Sequence, residues 1–465
     1  MTSINVTRTA LTATVSAAAL LASIVVAEAG GFAVREQSAV HQGASFAGAA
    51  SGSDLSTMYW NPAGVTVVDG MNTASSYALI LPNSDITPTG YRFKPTGTPL
   101  PTTGLGGVNP AATGGSGEIG NTALVASSYA NAQLPVLDPR VYIGASVNAP
   151  FGLSTEPDNR NWDGSLLSRS SEIFNIVATP TVGFKVSPGF AIGVGVQIGY
   201  MEGTLKFGPA GASNLFYNGD DYSAGWTAGV MLTPTNSTRI GVGFRSSITY
   251  DLDGTFGDNI IGTRFAADTQ IETPEIVTVS LTQAITDRIR AMATYEWTNW
   301  SRFDRLDIIA RQSGVPTALA FSANTLPTGG VAVSGRPFAS LITNWDDGWY
   351  GSVGLEFDYS AQTTLRAGVA YEKSPIQNAT QRLTAVPDND RTWLSAGLTH
   401  RWSDKVTIDL GYTHIFIDDS LIERDLISNN TVTFTGRSDD QSVDIINIGF
   451  RYKWDEPEPE AEPLK

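Results

Sequence analysis

Residues 406–417 read VTIDLGYTHIFI. Val406, Ile408, Leu410, Tyr412, His414 and Phe416 fall on one side of an extended chain, and Thr407, Asp409, Gly411 and Thr413 fall on the other. Successive side chains of a strand point to opposite faces, so the stretch has one apolar and one polar face throughout. Strands of globular domains are usually half this length, whereas a tilted strand of this length crosses a membrane.

The pattern recurs along the chain. Phe190, Ile192, Val194, Val196, Ile198 and Tyr200 alternate with Ala191, Gly193, Gly195, Gln197 and Gly199. Ile240, Val242, Phe244 and Ile248 alternate with Gly241, Gly243, Arg245 and Ser247. Similar runs pass through Ala291–Trp297, Val353–Tyr359 and Ile446–Trp454. In the middle of these strands every charge (Arg245, Arg290, Glu296, Glu356, Asp409, Arg451) lies on the polar face. An Arg facing lipid at mid-membrane costs about 2–4 kcal/mol, so a membrane barrel must place its charges this way. Many apolar faces end in Tyr, Trp or Phe, as interfacial girdles do. A soluble β-sandwich also alternates, but strand length, aromatic ends and loop spacing all argue against it.

Connections alternate long and short across about fourteen segments. Long ones lie near 85–121, 152–170, 206–221, 253–273, 302–344, 374–389 and 418–440. Short ones lie near 135–139, 187–188, 234–237, 287, 360–362 and 403–404. Outer-membrane barrels have short periplasmic turns, longer external loops and an even strand count. The expected fold is all-β: a 14-stranded antiparallel transmembrane β-barrel over 71–454, with both barrel ends in the periplasm.

The 465 residues include 47 glycines and no cysteine, and only 16% are charged. The net charge of −16 argues against nucleic acid, whose phosphates call for a basic face. The start of the chain carries one cation, Arg8, then an apolar run, then Ala27-Glu28-Ala29. This is the form of a secretory signal with its cleavage site, so 1–29 is expected to be removed and the protein exported to the outer membrane of a Gram-negative bacterium. No later stretch is apolar for the length of a membrane helix.

Residues 30–70 do not alternate. They carry small residues, an expected short helix near Glu36–Ala50, and the turn Asn61-Pro62-Ala63-Gly64. This segment reads as a hatch, a small plug within the barrel. Two breaks interrupt the strand pattern. Pro180 cannot donate to a ladder, which predicts a bulge. Asn148-Ala149-Pro150-Phe151-Gly152 ends another strand with Pro and Gly together, which predicts a kink or broken pairing. The tail 455–465, DEPEPEAEPLK, is acidic and Pro-rich and is expected to be disordered.

With these residues assembled, the chain resembles the FadL-type outer-membrane transporters of long-chain fatty acids and related hydrophobic compounds. The resemblance rests on GGF and WNPAG, NAPFGLSTE, TPTVGFKV with FAIGVGVQIGY, EWTNWSRFD, LRAGVAYEKSPI, DRTWLSAGL and IDLGYTHIFIDD, in that order. It implies passive transport with no energy-coupling partner. Asn61, Pro62 and Ala63 match the hatch motif, and Phe32 matches an aromatic near the internal ligand site. Gly152, with Asn148 and Pro150, sits where the resemblance places an inward kink that opens the wall sideways. No position matches the basic residues that hold a fatty acid carboxylate. The barrel ends at Trp454.

The resulting expectation is uptake of a hydrophobic small molecule, foremost a long-chain fatty acid. Capture would occur at external loops, for example at Leu215, Phe216, Tyr217, Leu319, Ala320 and Phe321; these residues would equally suit loop-on-loop packing. Binding beside the hatch and lateral release at 148–152 would follow. An aromatic hydrocarbon or alkane channel is the alternative within this fold. A lipid-hydrolysing enzyme needs a nucleophile and base within reach, and the three histidines His41, His400 and His414 are scattered. A porin or adhesin would not need a plug. No catalytic residue, metal or cofactor is expected. The acidic pairs Asp346-Asp347, Asp418-Asp419 and Asp439-Asp440 read as solvated loop charge. Other expected partners are outer-membrane lipid and lipopolysaccharide, with the barrel a monomer.

Overall fold

The computed structural model describes residues 30–93, 98–100, 113–208, 214–259, 262–313, 334–425 and 432–454. Its wall is a closed antiparallel sheet of fourteen strands, several of them broken in two. They are β1 (Met71–Asn83), β2 (Ala123–Gln133), β3 (Val141–Asn148, resuming as Gly152–Thr155), β4 (Ser170–Ser187), β5 (Phe190–Phe207), β6 (Leu215–Thr235) and β7 (Thr238–Arg245, then Thr249–Asp258). The remainder are β8 (Thr263–Glu272, then Ile276–Ala284), β9 (Ile289–Thr298, then Arg305–Ala310), β10 (Pro337–Ile342, then Gly348–Asp358), β11 (Thr363–Lys373), β12 (Arg391–Arg401), β13 (Val406–Ile417) and β14 (Ser442–Lys453). Tyr77 of β1 opposes both Ala126 of β2 and Ile448 of β14, which closes the ring. Among the described residues no helix is long and apolar enough to cross a membrane.

The alternation holds where the sequence places it. In β13, Asp409, Gly411 and Thr413 are buried inward, while Leu410, Tyr412 and Phe416 are exposed on the outside. The central charges point inward and pair there. Arg451 meets Asp409 at 2.7 Å, and Arg290 bonds Asp358 and Glu356. Short connections gather at one end and long ones at the other, as expected.

Four expectations need correction. First, β5 through β8 continue well past the membrane-crossing length, so 206–221 and 253–273 are largely paired strand. Gly203 opposes Gly219 and Gly254 opposes Ala267 in ladders that keep their backbone groups satisfied. Second, Pro180 makes no bulge. The β4–β5 register is the same before and after it, from Ala178↔Ile198 to Thr181↔Gly195, so the missing donor costs local bonds without an extra residue. The register shifts instead at Lys185/Ser187. Third, Ile248 does not continue the outer face of Ile240, Val242 and Phe244. β7 breaks after Arg245, two successive residues (Arg245 and Ser246) are both buried, and the parity flips, so Ile248 and Tyr250 point inward. Fourth, the hatch helix is one turn, Ala39–Gln42, capped by Ser38 Oγ accepting from His41 N. Ser45 and Phe46 have φ of 47° and 54°, in the left-handed region, which ends it.

Three 3₁₀ turns (Ala49–Ser51, Leu55–Tyr59, Pro62–Thr66) complete the hatch. It fits because the facing wall is built of glycine. A methyl group on Gly243 of β7 would overlap the Trp60 carbonyl, and one on Gly193 of β5 would strike the backbone of Pro62 and Ala63. The glycines of the polar strand face are therefore the seat of the plug. The tail 455–465, the segment 1–29, and Leu319, Ala320 and Phe321 lie outside the described residues.

Candidate functional site: the chamber above the hatch and the break in the wall

Asn61 locks the lower part of the hatch. Its Oδ1 accepts from Ala63 N at 3.0 Å, and Pro62 follows at the first helical position. Its Nδ2 donates to the carbonyls of Ala50 and Val230, both at 2.9 Å, which ties the turn to another hatch segment and to β6. Asn61, Pro62 and Ala63 thus hold the plug in place and do not line the chamber described next.

The upper end of the hatch is where the predicted residues converge. Phe32 is buried inside an aromatic cage, its ring centre 4.8 Å from Trp300, 5.2 Å from Phe303, 5.9 Å from Phe151 and 6.1 Å from Trp345. The edge-to-face angles to Trp300, Phe303 and Phe151 are those aromatic quadrupoles favour. The same stretch pairs with the break in β3. Val34 N donates to the Pro150 carbonyl and Gly152 N to the Phe32 carbonyl, each at 2.8 Å. Pro150 lacks an N–H, so the chain at 149–151 leaves its sheet neighbours and bonds the hatch instead.

Gln37 completes this joint, and nothing in the sequence marked it. Its Nε2 donates to the Ala149 carbonyl at 2.8 Å, and its Oε1 accepts from Asn148 Nδ2 at 3.1 Å. Its backbone carbonyl accepts from Ser127 Oγ and Tyr129 OH of β2. Gln37 is fully buried, so without its amide the Ala149 carbonyl would be left unsatisfied and Asn148 would keep only its bond to Tyr129 OH.

The kink interrupts the ladder. β2 and β3 pair from Gln133↔Tyr142 to Ser128↔Val147, and next meet only at the bridge Gly120↔Thr155. Between these points Asn148, Ala149, Pro150, Phe151 and Gly152 face the hatch, and β2 has no ladder partner on that side. All five predicted opening residues are therefore brought together, against the residues 32–37 of the plug.

Above Phe32 lies a mainly apolar chamber of about 160 Å3. Leu153, Ile173, Leu205, Leu252, Ile271 and Leu306 line it, with Phe32, Phe303 and Trp345 at its floor. Of the predicted capture residues, Tyr217 lines the chamber, its hydroxyl donating to the Leu252 carbonyl at 2.9 Å. Leu215 packs in a neighbouring cluster with Phe256 and Phe265, and Phe216 carries the Arg264 guanidinium over its ring. All three belong to β6 and not to a loop. Two cations border the chamber: exposed Lys206 and half-buried Arg424. Arg424 donates to the carbonyls of Thr380 and of Ile342, the latter at 2.9 Å. Burial lowers its pKa to about 10, only partly offset by the adjacent Asp425. Sequence reasoning missed Arg424, because an Arg in a polar loop string carries no signal of what it will face. Trp300 and Phe303 were visible in the string EWTNWSRFD, but not as partners of Phe32.

Deeper in the hatch, His41 Nε2 lies 3.3 Å from Thr57 Oγ1 and 3.3 Å from Asp54 Oδ2. Burial lowers the pKa of His41, and Asp54 only partly opposes this. His414 bonds Asp444 at 2.8 Å and His400 bonds Thr363 at 3.0 Å, so the three histidines stand apart with separate partners.

A plugged transmembrane barrel, with an apolar chamber above its plug and a break in its wall beside that chamber, defines a class: outer-membrane channels for greasy solutes. The family described as outer membrane protein transport protein (OMPP1/FadL/TodX) matches residues 18–454, and the chain belongs to it. The long-chain fatty acid transport protein of Escherichia coli K12 is 21% identical, over 86% of this chain and 92% of its own. A solved Pseudomonas aeruginosa FadL homologue superposes with a TM-score of 0.75 at 21% identity, covering 91% of this chain and all of the other. The Pseudomonas putida toluene transporter TodX gives 0.60 at 14% identity, over 91% of this chain and all of that one. The family comprises transport channels, and this protein is an outer-membrane transporter of hydrophobic compounds.

Proposed function

We propose that the protein takes up long-chain fatty acids. The ligand enters from the external side, lodges its chain in the chamber over Phe32 and leaves sideways through the break at 148–152. The observation that carries the fatty acid reading is Arg424, a partly desolvated guanidinium on the border of a mainly apolar cavity that Lys206, Glu172 and Asp425 also border. Transfer of an alkyl chain from water gains about 0.8 kcal/mol per buried methylene, so capture needs no energy source. A carboxylate placed at Arg424 would add a charge-assisted hydrogen bond, worth about 1.5–3 kcal/mol.

Exit follows from the joint between hatch and kink. Phe32 is both a floor of the chamber and a backbone partner of Gly152, so a ligand that displaces its ring also loosens the pairing that holds 149–152 inward.

Direct binding to the purified, folded barrel tests this. A long-chain fatty acid should bind roughly tenfold or more tightly than its methyl ester, and Arg424→Met should abolish that difference, in line with the charge-assisted bond. Equal binding of acid, ester and a neutral aromatic hydrocarbon would replace the fatty acid reading with a hydrocarbon channel.

A further inference from the structure

Gly30 lies buried in the lumen, on the border of a cavity of about 30 Å3 shared with Arg35, Glu296, Glu372, Tyr59 and Trp300. The Cβ that Gly30 lacks would stand 2.6 Å from Glu372 Oε1 and 3.0 Å from its carboxyl carbon. Glu372 is 6% exposed, and among the described residues its Oε2 has no hydrogen-bond partner. Its nearest cation is Arg35, whose Nη2 is 3.6 Å away while Nη1 is engaged by Glu296 at 2.7 Å. Arg245 also borders the cavity but donates to Gln197 and to the Tyr59 carbonyl. Close by, Asp388 bonds Arg391, Ser374 Oγ and the Gly31 N–H. Four buried carboxyl groups (Glu36, Glu296, Glu372, Asp388) therefore stand beside four buried guanidinium groups. Of these, Arg35 and Arg391 pair with carboxylates, while Arg245 is spent on Gln197 and the Tyr59 carbonyl and Arg382 on backbone carbonyls. A buried carboxylate without a full partner is costly.

We propose that Glu372 is the receptor for the α-ammonium group of Gly30, created when the Ala29–Gly30 amide is hydrolysed during export, and that this contact sets the top of the hatch. The hydrolysis consumes one water and leaves a carboxylate on Ala29 and an amine on Gly30, which takes up a proton. No side chain blocks rotation about the Gly30 Cα–C bond. A third of a turn carries its nitrogen into the site a Cβ would occupy, within charge-assisted hydrogen-bond distance of Glu372. In an uncut chain that nitrogen is an amide and carries no charge. Burial pushes the nearby Glu36 carboxyl up to about 7, with Glu372 adding to the rise and Arg35 and Arg391 opposing it. The inference concerns the seating of the hatch and does not depend on which ligand is carried.

The test uses the full-length gene product, exported and purified from outer membranes. Mass spectrometry of the intact chain should give a mass that begins at Gly30; any other start overturns the proposal. The pH profile of α-amine acylation, read by peptide mass spectrometry, then gives the pKa of that amine. Folded wild type should show it at least one unit above the same amine in the urea-unfolded chain, a tenfold suppression of reactivity at a given pH. Glu372→Gln should remove most of that shift. An added residue between positions 29 and 30, which retains cleavage but displaces the ammonium, should do the same and serves if Glu372→Gln does not fold. An amine that titrates alike in folded and unfolded wild type, or alike in wild type and both variants, overturns the proposal.

Discussion

At the scale of single residues, Gln37 illustrates how one amide can hold two elements together. It bonds Ala149 and Asn148 of the kink, while its own carbonyl receives Ser127 and Tyr129 of β2. Gln37→Leu keeps the volume but strands the Ala149 carbonyl, at about 1–3 kcal/mol for an unsatisfied group, and leaves the Asn148 amide with Tyr129 OH as its partner. The expected outcome is a folded barrel whose segment 148–152 exchanges its amide hydrogens at least tenfold faster, measured by mass spectrometry. His41 supplies a pH dependence. Its pKa in the fold lies below the ordinary value of 6.5, because burial disfavours the charged ring. The unfolded state therefore binds more protons, and hatch stability falls as the pH drops through 6.5 toward the folded value. Asp54, Thr57, Arg366, Glu356 and Arg451 are the groups that act on this ring. Stability against urea measured between pH 5 and pH 8 should show this loss on acidification, and His41→Gln should flatten it.

At the scale of elements, the wall glycines and the kinked strand matter most. Gly243 lies directly under the Trp60 carbonyl, with backbone and not a flexible side chain in the way. Gly243→Val should unseat the plug while the outer face of β7 keeps its pattern. The measurement is single-channel conductance in a planar bilayer: wild type should be nearly closed and the variant should pass ions steadily. Conductance unchanged from wild type would show that the wall, and not the plug, yields. For β3, bulky side chains at Ala149 and Gly152 should fill the break between β2 and β3. Uptake by cells should fall at least tenfold with the barrel still folded and heat-modifiable; intact uptake would exclude exit at this break.

At the scale of the whole molecule, transport by the proposed route requires hatch and kink to separate. Ala33 and Phe151 are direct antiparallel partners, flanked by the bonds Val34–Pro150 and Gly152–Phe32. Such a non-hydrogen-bonded pair has its Cα atoms about 4.5 Å apart, within disulfide range. The chain has no native cysteine to interfere. The double variant Ala33→Cys, Phe151→Cys should take up ligand when reduced and lose most of that uptake when oxidised. Equal uptake in both states would mean that ligand passes without the joint opening.

The barrel was legible in the sequence because period-2 alternation is local: each strand of about ten residues shows which face meets lipid, and the cost of a misplaced charge is written into every face. Strand count, connection pattern and the inward charges follow from that, and the broken strand at 148–152 follows from the equally local signal of Pro150 beside Gly152. What local pattern could not reveal was anything that depends on residues far apart in the chain. The parity flip that turns Ile248 inward depends on a two-residue break after Arg245 that the sequence does not mark. The extension of β5 to β8 beyond the membrane depends on ladders between segments that read as loops. Arg424 reaches the chamber only because its loop strand folds against 342 and 380, and Gln37 matters only because the plug brings it to 148 and 149. The sequence by itself determined the class of solvent each face would meet, since transfer free energy is a property of the side chain. The tertiary structure decided which polar groups pair inside the lumen, because burial leaves a hydrogen-bonding group no partner but the one the closed barrel brings to it.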